Sequence, residues 1–306
     1  MDILITGVNG FIGKNIAFNL FNLGHRVIGL GTSKNSELEN ICEYHNVSVL
    51  DKEALKMFVN DADLVIHLAA ITAHSEIVDN KFQTLDINLN GTRNILSAFN
   101  ASKKAKKFIY ASSGKVYGSI DKLPLTEQSR TIPINILGKS KLIAEQLIDF
   151  YSNKHKTYVI FRIFQAYGPG QLKNFLVPTI LSQLDINNKS NQRIILGDIK
   201  AQRDYIFIDD ISSAFNSVIK SDLPKGVNIF NLSSSIPKSA KEIISVIEKL
   251  FSLKINVQVN KNLLRSDEES IEYGSNEKAK KELGWTPSIK LEDGLKITIK
   301  KFFKFL

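Results

Sequence analysis

The first half of the sequence alternates short apolar runs with helical segments, and this alternation restricts the fold more than any other feature. Strands are predicted at 2–6, 26–30, 47–50, 63–69, 107–112 and 158–164. Helices are predicted near 12–23, 52–60, 81–104 and 137–153. Near-continuous apolar strands that alternate with helices are typical of a parallel sheet covered on both faces. The pattern therefore predicts an α/β fold built on a doubly wound, Rossmann-like parallel sheet.

The alternation ends near residue 165, where turn-rich and polar segments follow. The rest of the chain has no internal repeat, low-complexity segment or long linker. This favours a smaller, mainly C-terminal cap over an independent second domain. We predict a dinucleotide-binding domain at 1–168 with a return segment at 204–230. The substrate-binding cap is then formed by 169–203 and 231–306.

Three glycines stand where the first strand turns into the first helix. In "ITGVNGFIGKNI" they are Gly7, Gly10 and Gly13, with Phe11 and Ile12 opening the helix. Such a turn lets the backbone approach a pyrophosphate closely and leaves the free N–H groups of the helix to face the anion. The segment predicts a dinucleotide-binding turn formed by these five residues.

The end of the second strand bears on the choice of cofactor. A site for NAD normally carries an acid there, which accepts a hydrogen bond from the ribose 2′-hydroxyl, but this chain has Gly31. Thr32, Ser33 and Lys34 follow and can donate to a 2′-phosphate, so NADP is favoured over NAD; a merely polar loop is the alternative. Asp51 is a candidate for the adenine edge, or the N-cap of the helix at 52–60.

The net charge of +9 is spread along the chain and accompanies no nucleic-acid reader motif. It favours attraction to anionic small molecules over binding of nucleic acid. Met1 is followed at once by a strand, and no apolar run approaches the roughly 18 residues that span a membrane. We expect a cytoplasmic protein without a membrane segment. With one cysteine, Cys42, neither an internal disulfide nor a metal site is expected.

Eight segments in order resemble the extended short-chain dehydrogenase/reductases, the nucleotide-sugar epimerase/dehydratase family. They are "TGVNGFIG", "HLAA", "INLNGT", "ASSGKVYG", "GKSKLIAEQL", "FRIFQAYGPG", "RDYIFIDD" and "KELGWTP". The resemblance covers nearly the whole chain, and several motifs in the right order are far more specific than any one. It implies an NAD(P)-dependent enzyme that modifies a nucleotide-diphosphate sugar, most simply by C4 epimerisation or keto-sugar reduction.

The resemblance also implies roles for individual residues. Leu68, Ala69 and Ala70 of "HLAA" line the cofactor, and Asn88 lies on a helix near the active centre. Ser113 holds the reacting sugar oxygen, and Lys141 binds the nicotinamide ribose. Four residues are placed at the substrate: Gln165, Asn174, Arg203 and Arg265. The paired helices at 81–104 and 137–153 imply a homodimer.

One departure from the family pattern concerns the residue that transfers the proton. The family places a catalytic tyrosine four residues before the lysine, on the same helix face, and here that position is Leu137. Leucine transfers no proton, and loss of a positioned acid/base typically costs 10²–10⁴-fold in rate.

Two residues of the "SSGKVYG" segment are candidates to replace that tyrosine. Lys115 stands where dehydratases of the family carry an acid, and it is a candidate for a relocated acid/base; Tyr117 is a weaker one. The alternative is a catalytically impaired protein that still binds dinucleotide and sugar nucleotide.

Overall fold

The computed structural model describes residues 1–118, 122–185, 192–264 and 269–304. Within them lie thirteen strands: β1 Asp2–Thr6, β2 Arg26–Gly31, β3 Glu43–Asn46, β4 Leu64–His67, β5 Lys107–Ser113, β6 Thr157–Ile163, β7 Gln165–Tyr167, β8 Gln192–Leu196, β9 Gln202–Phe207, β10 Gly226–Leu232, β11 Pro237–Ser239, β12 Ile255–Val259 and β13 Ile271–Glu272.

Eleven α-helices lie in the same part of the chain: α1 Phe11–Asn22, α2 Lys52–Asn60, α3 His74–Asp79, α4 Lys81–Leu85, α5 Thr92–Ala101, α6 Ile136–Tyr151, α7 Leu176–Leu181, α8 Ile208–Lys220, α9 Ala240–Phe251, α10 Glu277–Leu283 and α11 Leu291–Phe302. A π-helical turn at Asp86–Gly91 joins α4 to α5, so residues 81–101 form one uninterrupted helical run within the helix predicted at 81–104.

Seven strands form one parallel sheet in the order β10-β6-β5-β4-β1-β2-β3. The chain order reverses between β1 and β4, where crossovers leave in opposite directions, and open α/β sheets bind ligands at that point. The doubly wound parallel sheet is thereby confirmed.

The strand predicted at 47–50 is wrong. β3 spans Glu43–Asn46 at the sheet edge, where its side chains are polar and partly exposed, so no apolar run marks it. The apolar Val49 belongs instead to the loop before α2, where its side chain fills the space beside Gly91.

Apolar side chains fill both faces of the sheet. On one face, α1 and α8 pack over the sheet, and their core continues into the C-terminal elements. On the other face, α2, α5 and α6 cover a second core that includes Phe99, Phe108 and Tyr158. Burial of both faces explains why the central strands are apolar along their whole length. No described helix is both long enough and apolar enough to cross a membrane.

Above the carboxyl ends of the strands lies a smaller group of elements, which we call the cap. It contains a small sheet of β7, β9, β11 and β13, a parallel pair of β8 and β12, and the helices α7, α9, α10 and α11. Asp210 on α8 ties the C-terminal segment to the main sheet by accepting from the backbone N–H of Ser288 at 2.8 Å and of Ile289 at 3.1 Å. The domain boundaries given above stay a prediction.

Candidate active site

The glycine turn is a tight junction between β1, β4 and α1. Gly7 has a φ of 71°, and a Cβ there would lie 2.7 Å from the backbone nitrogen of Ala69. A Cβ on Gly13 would lie 2.4 Å from the carbonyl oxygen of Gly7. The N-cap, Gly10, provides no side chain to the first turn of α1. These features leave the first N–H groups of α1, at Phe11 and Ile12, to an anion.

The segment after β4 passes directly beside this turn. Leu68 donates from its backbone N–H to the Thr6 carbonyl oxygen at 3.1 Å, and Ala69 donates to the Thr6 hydroxyl at 3.3 Å. Both residues, with Ala70, are partly buried. The structure thus brings "HLAA" and the glycine turn together.

Asn88 lies in the π-helical turn and is fully buried. Its side-chain oxygen accepts from the backbone N–H of Ile71 at 2.8 Å. Its amide group donates to the Ile71 carbonyl at 3.1 Å and to the Ser140 hydroxyl at 3.1 Å. Asn88 therefore fixes the segment after β4 to α6, next to Lys141; its direct contact with a cofactor stays a prediction.

Lys141 is buried on α6, with its Nζ donating to the Ala111 carbonyl oxygen at 2.7 Å. The Nζ also lies 4.8 Å from the centre of the Tyr110 ring. Burial lowers the pKa of Lys141 to about 8, against the opposing effect of Glu145 one turn further along the helix. A lysine of this kind is largely protonated at neutral pH and close to its titration range.

Ser113 ends β5 and caps a 3₁₀ turn at Gly114–Val116. Its hydroxyl oxygen accepts from the backbone N–H of Lys115 at 3.2 Å, which leaves the Ser113 O–H proton available to a ligand. α6 packs tightly on this turn, since a Cβ on Gly138 would lie 2.2 Å from the Lys115 carbonyl oxygen. Leu137 is half-buried one turn before Lys141, where the family tyrosine would stand.

The two candidate substitutes for that tyrosine already have partners. Lys115 donates from its Nζ to a carboxylate oxygen of Glu272 at 2.7 Å, and both side chains are largely buried. Tyr117 is fully buried, donates its hydroxyl to Asn231 at 2.6 Å and lies under the guanidinium of Arg162. Burial raises the pKa of Tyr117 to about 12.

The residues after β2 form an exposed turn. Thr32, Ser33 and Lys34 are exposed, and the Ser33 carbonyl oxygen accepts from the Tyr44 hydroxyl at 2.5 Å. Asp51 is the N-cap of α2, where its carboxylate accepts from the backbone N–H of Ala54 at 3.1 Å. This cap is one of the two interpretations open from sequence, and the adenine contact stays a prediction.

Three of the four residues predicted at the substrate lie in or next to the cap. Gln165 opens β7, and Arg203 is buried on the neighbouring β9 with one Nη donating to the Gln202 carbonyl. Asn174 is exposed just before α7. Arg265 lies outside the described residues.

Several residues at the site were given no role by the sequence analysis. Glu272 lies on β13 in register with Arg203 of β9. Through its ion pair with Lys115 it joins the cap to the Ser113 turn. Beneath Lys141, Glu145 accepts from Arg162 through Nε at 3.1 Å and Nη2 at 2.7 Å, and from Ser112 at 2.5 Å. Glu145 had a local signal, its four-residue spacing from Lys141.

Comparison with known proteins supports a single family. A family model described as GDP-mannose 4,6 dehydratase matches residues 4–298. The chain is 26% identical to the GDP-6-deoxy-D-mannose reductase of Pseudomonas aeruginosa, over 96% of this chain and 94% of that protein. It is 28% identical to the UDP-glucose 4-epimerase of Yersinia enterocolitica, over 96% and 95%.

A solved structure shares the fold over nearly its full length. The UDP-glucose 4-epimerase of Bifidobacterium longum in complex with NAD+ and UDP matches with a TM-score of 0.87 and 25% identity. The match covers 100% of this chain and 99% of that one. The architecture of the sheet and cap is therefore shared with this epimerase.

Proposed function

Because the chain belongs to the GDP-mannose 4,6 dehydratase family, we propose that it oxidises or reduces C4 of a nucleotide-diphosphate sugar. Membership confirms the resemblance found in the motifs and the prediction of an NAD(P)-dependent nucleotide-sugar enzyme. Both C4 epimerisation and keto-sugar reduction fit these relatives. The observation that carries the proposal is the buried Lys141, held against Ala111 beside the turn of Ser113.

The residues at the glycine turn fit a dinucleotide. Gly7 and Gly13 have no room for a Cβ, and the first turn of α1 has no side-chain cap. The turn would hold the pyrophosphate, with Leu68, Ala69 and Ala70 beside the nicotinamide ribose. A nicotinamide bound there supplies or accepts the hydride.

The chain's own residues then transfer the proton to and from the sugar oxygen. Ser113 accepts from the Lys115 N–H and would donate its own O–H, which has no acceptor among the described residues, to the sugar oxygen. Lys141 binds the ribose and, with its pKa lowered to about 8 by burial, exchanges a proton with that oxygen through water. Because Leu137 transfers no proton, the path of the proton from Lys141 through water is longer than in relatives that carry a tyrosine at this position.

NADP is the proposed cofactor. The turn after β2 contains no carboxylate, and Thr32, Ser33 and Lys34 are exposed donors there. At the substrate, Gln165, Asn174, Arg203 and Arg265 would contact the sugar nucleotide, with arginine suited to the diphosphate.

We also assign a homodimer to this chain, formed through α5 and α6. Phe150 on α6 is 84% exposed and Phe82 on α4 is 90% exposed, and both lie on the side of the sheet that α5 and α6 cover. Phe150→Asp is expected to yield a monomer in light scattering. Phe18→Asp on α1, on the other face, is the control and should leave the mass unchanged. A wild-type monomer would contradict the assignment.

The function is tested by turnover with NADPH and a panel of UDP-, GDP-, CDP- and dTDP-sugars and their 4-keto forms. We expect conversion of one class of sugar nucleotide, and Lys141→Met should reduce kcat by about 10²-fold or more. Binding of both ligands without turnover would support the alternative, a protein that retains the sites without catalysis. That alternative is favoured by the pairing of Lys115 with Glu272 and of Tyr117 with Asn231.

A pair of variants at position 137 separates slow catalysis from a different chemistry. Leu137→Tyr should raise kcat by about 10²-fold, because it places a phenol one turn before Lys141. Leu137→Phe is the matched control, with the same ring and no proton to transfer. Equal rates in the two variants would show that position 137 is not beside the reacting oxygen.

A further inference from the structure

His67 is a fully buried polar residue at the end of β4. β4 lies between β1 and β5, so the imidazole is enclosed where the chain order of the sheet reverses. The ring stacks on Tyr110, with the two ring centres 5.7 Å apart. A buried imidazole needs a hydrogen-bond partner at each ring nitrogen, and both partners are present here.

One ring nitrogen is bonded to the strand that leads into the glycine turn. Nδ1 lies 2.7 Å from the hydroxyl oxygen of Thr6, the last residue of β1. The same hydroxyl oxygen accepts from the backbone N–H of Ala69 at 3.3 Å. This side of the ring therefore fixes the start of the glycine turn against the segment that would line the nicotinamide ribose.

The other ring nitrogen is connected to α6 through a series of hydrogen bonds. Nε2 lies 3.0 Å from the Thr92 hydroxyl oxygen, and Thr92 donates to the Asn88 carbonyl oxygen at 2.7 Å. The Asn88 amide donates to the Ser140 hydroxyl at 3.1 Å, which in turn donates to the Leu137 carbonyl oxygen at 2.9 Å. This side of the ring therefore fixes the first turn of α6.

The directions of these hydrogen bonds assign one neutral tautomer to the ring. Because the Thr92 hydroxyl donates to Asn88, its oxygen accepts from Nε2–H, and Nδ1 then accepts from the Thr6 hydroxyl. Burial lowers the pKa of His67 to about 3, and the charge of Lys141 acts in the same direction. The ring therefore stays neutral at neutral pH and keeps a different partner on each side.

We infer that His67 is a positioning residue that holds the glycine turn through Thr6 and the first turn of α6 through Thr92. The inference rests on the proposed function, since a dinucleotide at the glycine turn and Lys141 on α6 are the groups that the ring aligns. The two contacts are made by different ring nitrogens and can be removed separately. Loss of the Thr6 contact should weaken dinucleotide binding, and loss of the Thr92 contact should slow the reaction.

Two amide variants each keep one of the contacts. The short side chain of His67→Asn replaces Nδ1 and keeps the bond to Thr6, whereas the longer one of His67→Gln replaces Nε2 and keeps the bond to Thr92. His67→Gln should raise the dissociation constant of NADPH, measured by nicotinamide fluorescence, by about 10-fold and change kcat by less than about 3-fold. His67→Asn should lower kcat by about 10-fold and leave NADPH affinity within about 3-fold. The rate is measured at saturating cofactor with the sugar nucleotide that the panel identifies.

Tyr158→Phe is the control for lost stability. It removes a buried hydrogen bond to Asn100 near the amino end of β6, far from the glycine turn. It should lower the melting temperature and leave NADPH affinity and kcat within about 2-fold. If the wild type is active but His67→Asn and His67→Gln lower affinity and kcat in the same proportion, or change neither, the inference is wrong and the proposed function stands.

Failure of the proposed function gives a different result. A wild type that binds neither NADPH nor NADH, or that binds them without turnover, contradicts the proposed function. Hydrogen–deuterium exchange of the unliganded chain then tests the two contacts of His67 directly. His67→Gln should increase exchange in residues 4–16, and His67→Asn should increase it in residues 136–144. Equal exchange in the two variants would overturn the inference.

Discussion

Two buried carboxylates stabilise the two parts of the molecule in different ways. Glu145, beneath Lys141 on α6, is paired with Arg162 at 2.7 Å. Asp204, on β9 in the cap, accepts hydrogen bonds from neutral donors: the N–H and hydroxyl of Ser234 and the N–H groups of Ser235 and Gly274. One carboxylate is neutralised by a cation, and the other is solvated only by backbone and hydroxyl dipoles.

The difference shows in how each site responds to protons. Burial opposes the charge of Arg162, but Glu145 outweighs it and raises the pKa of Arg162 above its ordinary value. At Asp204, burial raises the pKa to about 6 although its hydrogen bonds act in the opposite direction. α6 therefore rests on a carboxylate that is paired with a cation, whereas the cap rests on a carboxyl group whose pKa lies near 6.

The largest expected effect comes from breaking the pair. Glu145→Leu leaves the Arg162 charge buried without its partner and should lower the free energy of unfolding by about 3–5 kcal/mol, measured by urea titration. The control is Glu53→Leu, which breaks an exposed pair with Lys56 and should cost less than about 1 kcal/mol. Equal losses in the two variants would show that Arg162 finds another partner or water.

The second prediction concerns the cap and pH. Asp204 has a folded-state pKa near 6 and an ordinary value of 3.8. The pKa of Asp204 is higher in the folded than in the unfolded protein. The stabilisation that protonated Asp204 contributes to the free energy of unfolding is therefore fully present below about pH 4, and it is lost as the pH rises through about 6. The shift corresponds to about 3 kcal/mol.

Asp204→Asn should remove this dependence, and the measurement is unfolding free energy against pH for wild type and variant. Relative to the variant, the wild type should lose stability between pH 4 and 6. Asp2 is the contrasting group, because its hydrogen bond with Lys104 lowers its pKa. A pH dependence that is the same in wild type and Asp204→Asn would show that Asp204 is ionised without penalty, and the contrast with Glu145 would disappear.

A third test asks whether the pair also changes the pKa of Lys141. Glu145 counteracts the lowering of the Lys141 pKa by burial. Glu145→Gln should therefore lower that pKa further and move the alkaline limb of the activity profile, expected near pH 8 in the wild type, toward neutral pH. NADPH affinity against pH gives the same readout without turnover. An alkaline limb that stays at the same pH would show that Glu145 does not influence the pKa of Lys141.

The sheet was predictable because its signals are local. Runs such as 2–6 and 107–112 carry their own apolar pattern, and the glycine turn follows the first of them directly. The edge strand β3 was missed, since Glu43 and His45 need no burial there. The helix predicted at 81–104 contains a π-helical turn at Asp86–Gly91, which no signal in the sequence analysis indicated.

The site was predictable only where a motif carried it. Ser113 and Lys141 come from motifs, but the partners that position them come from distant parts of the chain. Lys115 and Glu272 are separated by 157 positions, and Tyr44 reaches Gly31 only because β3 pairs with β2. Arg162 had one signal, a cation inside an apolar strand, which requires a buried partner.

The smallest expected effect lies between the two regions, at the pair formed by Lys115 and Glu272. Their side chains are 19% and 11% exposed, so the pair is intermediate between Glu145–Arg162 and a surface ion pair. A double-mutant cycle with Lys115→Met and Glu272→Gln should give a coupling free energy of about 1 kcal/mol in urea unfolding.

If the lysine instead acts as a relocated acid/base, Lys115→Met would abolish turnover while Glu272→Gln would not. If it only joins the cap to the Ser113 turn, the two single variants should reduce kcat alike, because each releases the same contact.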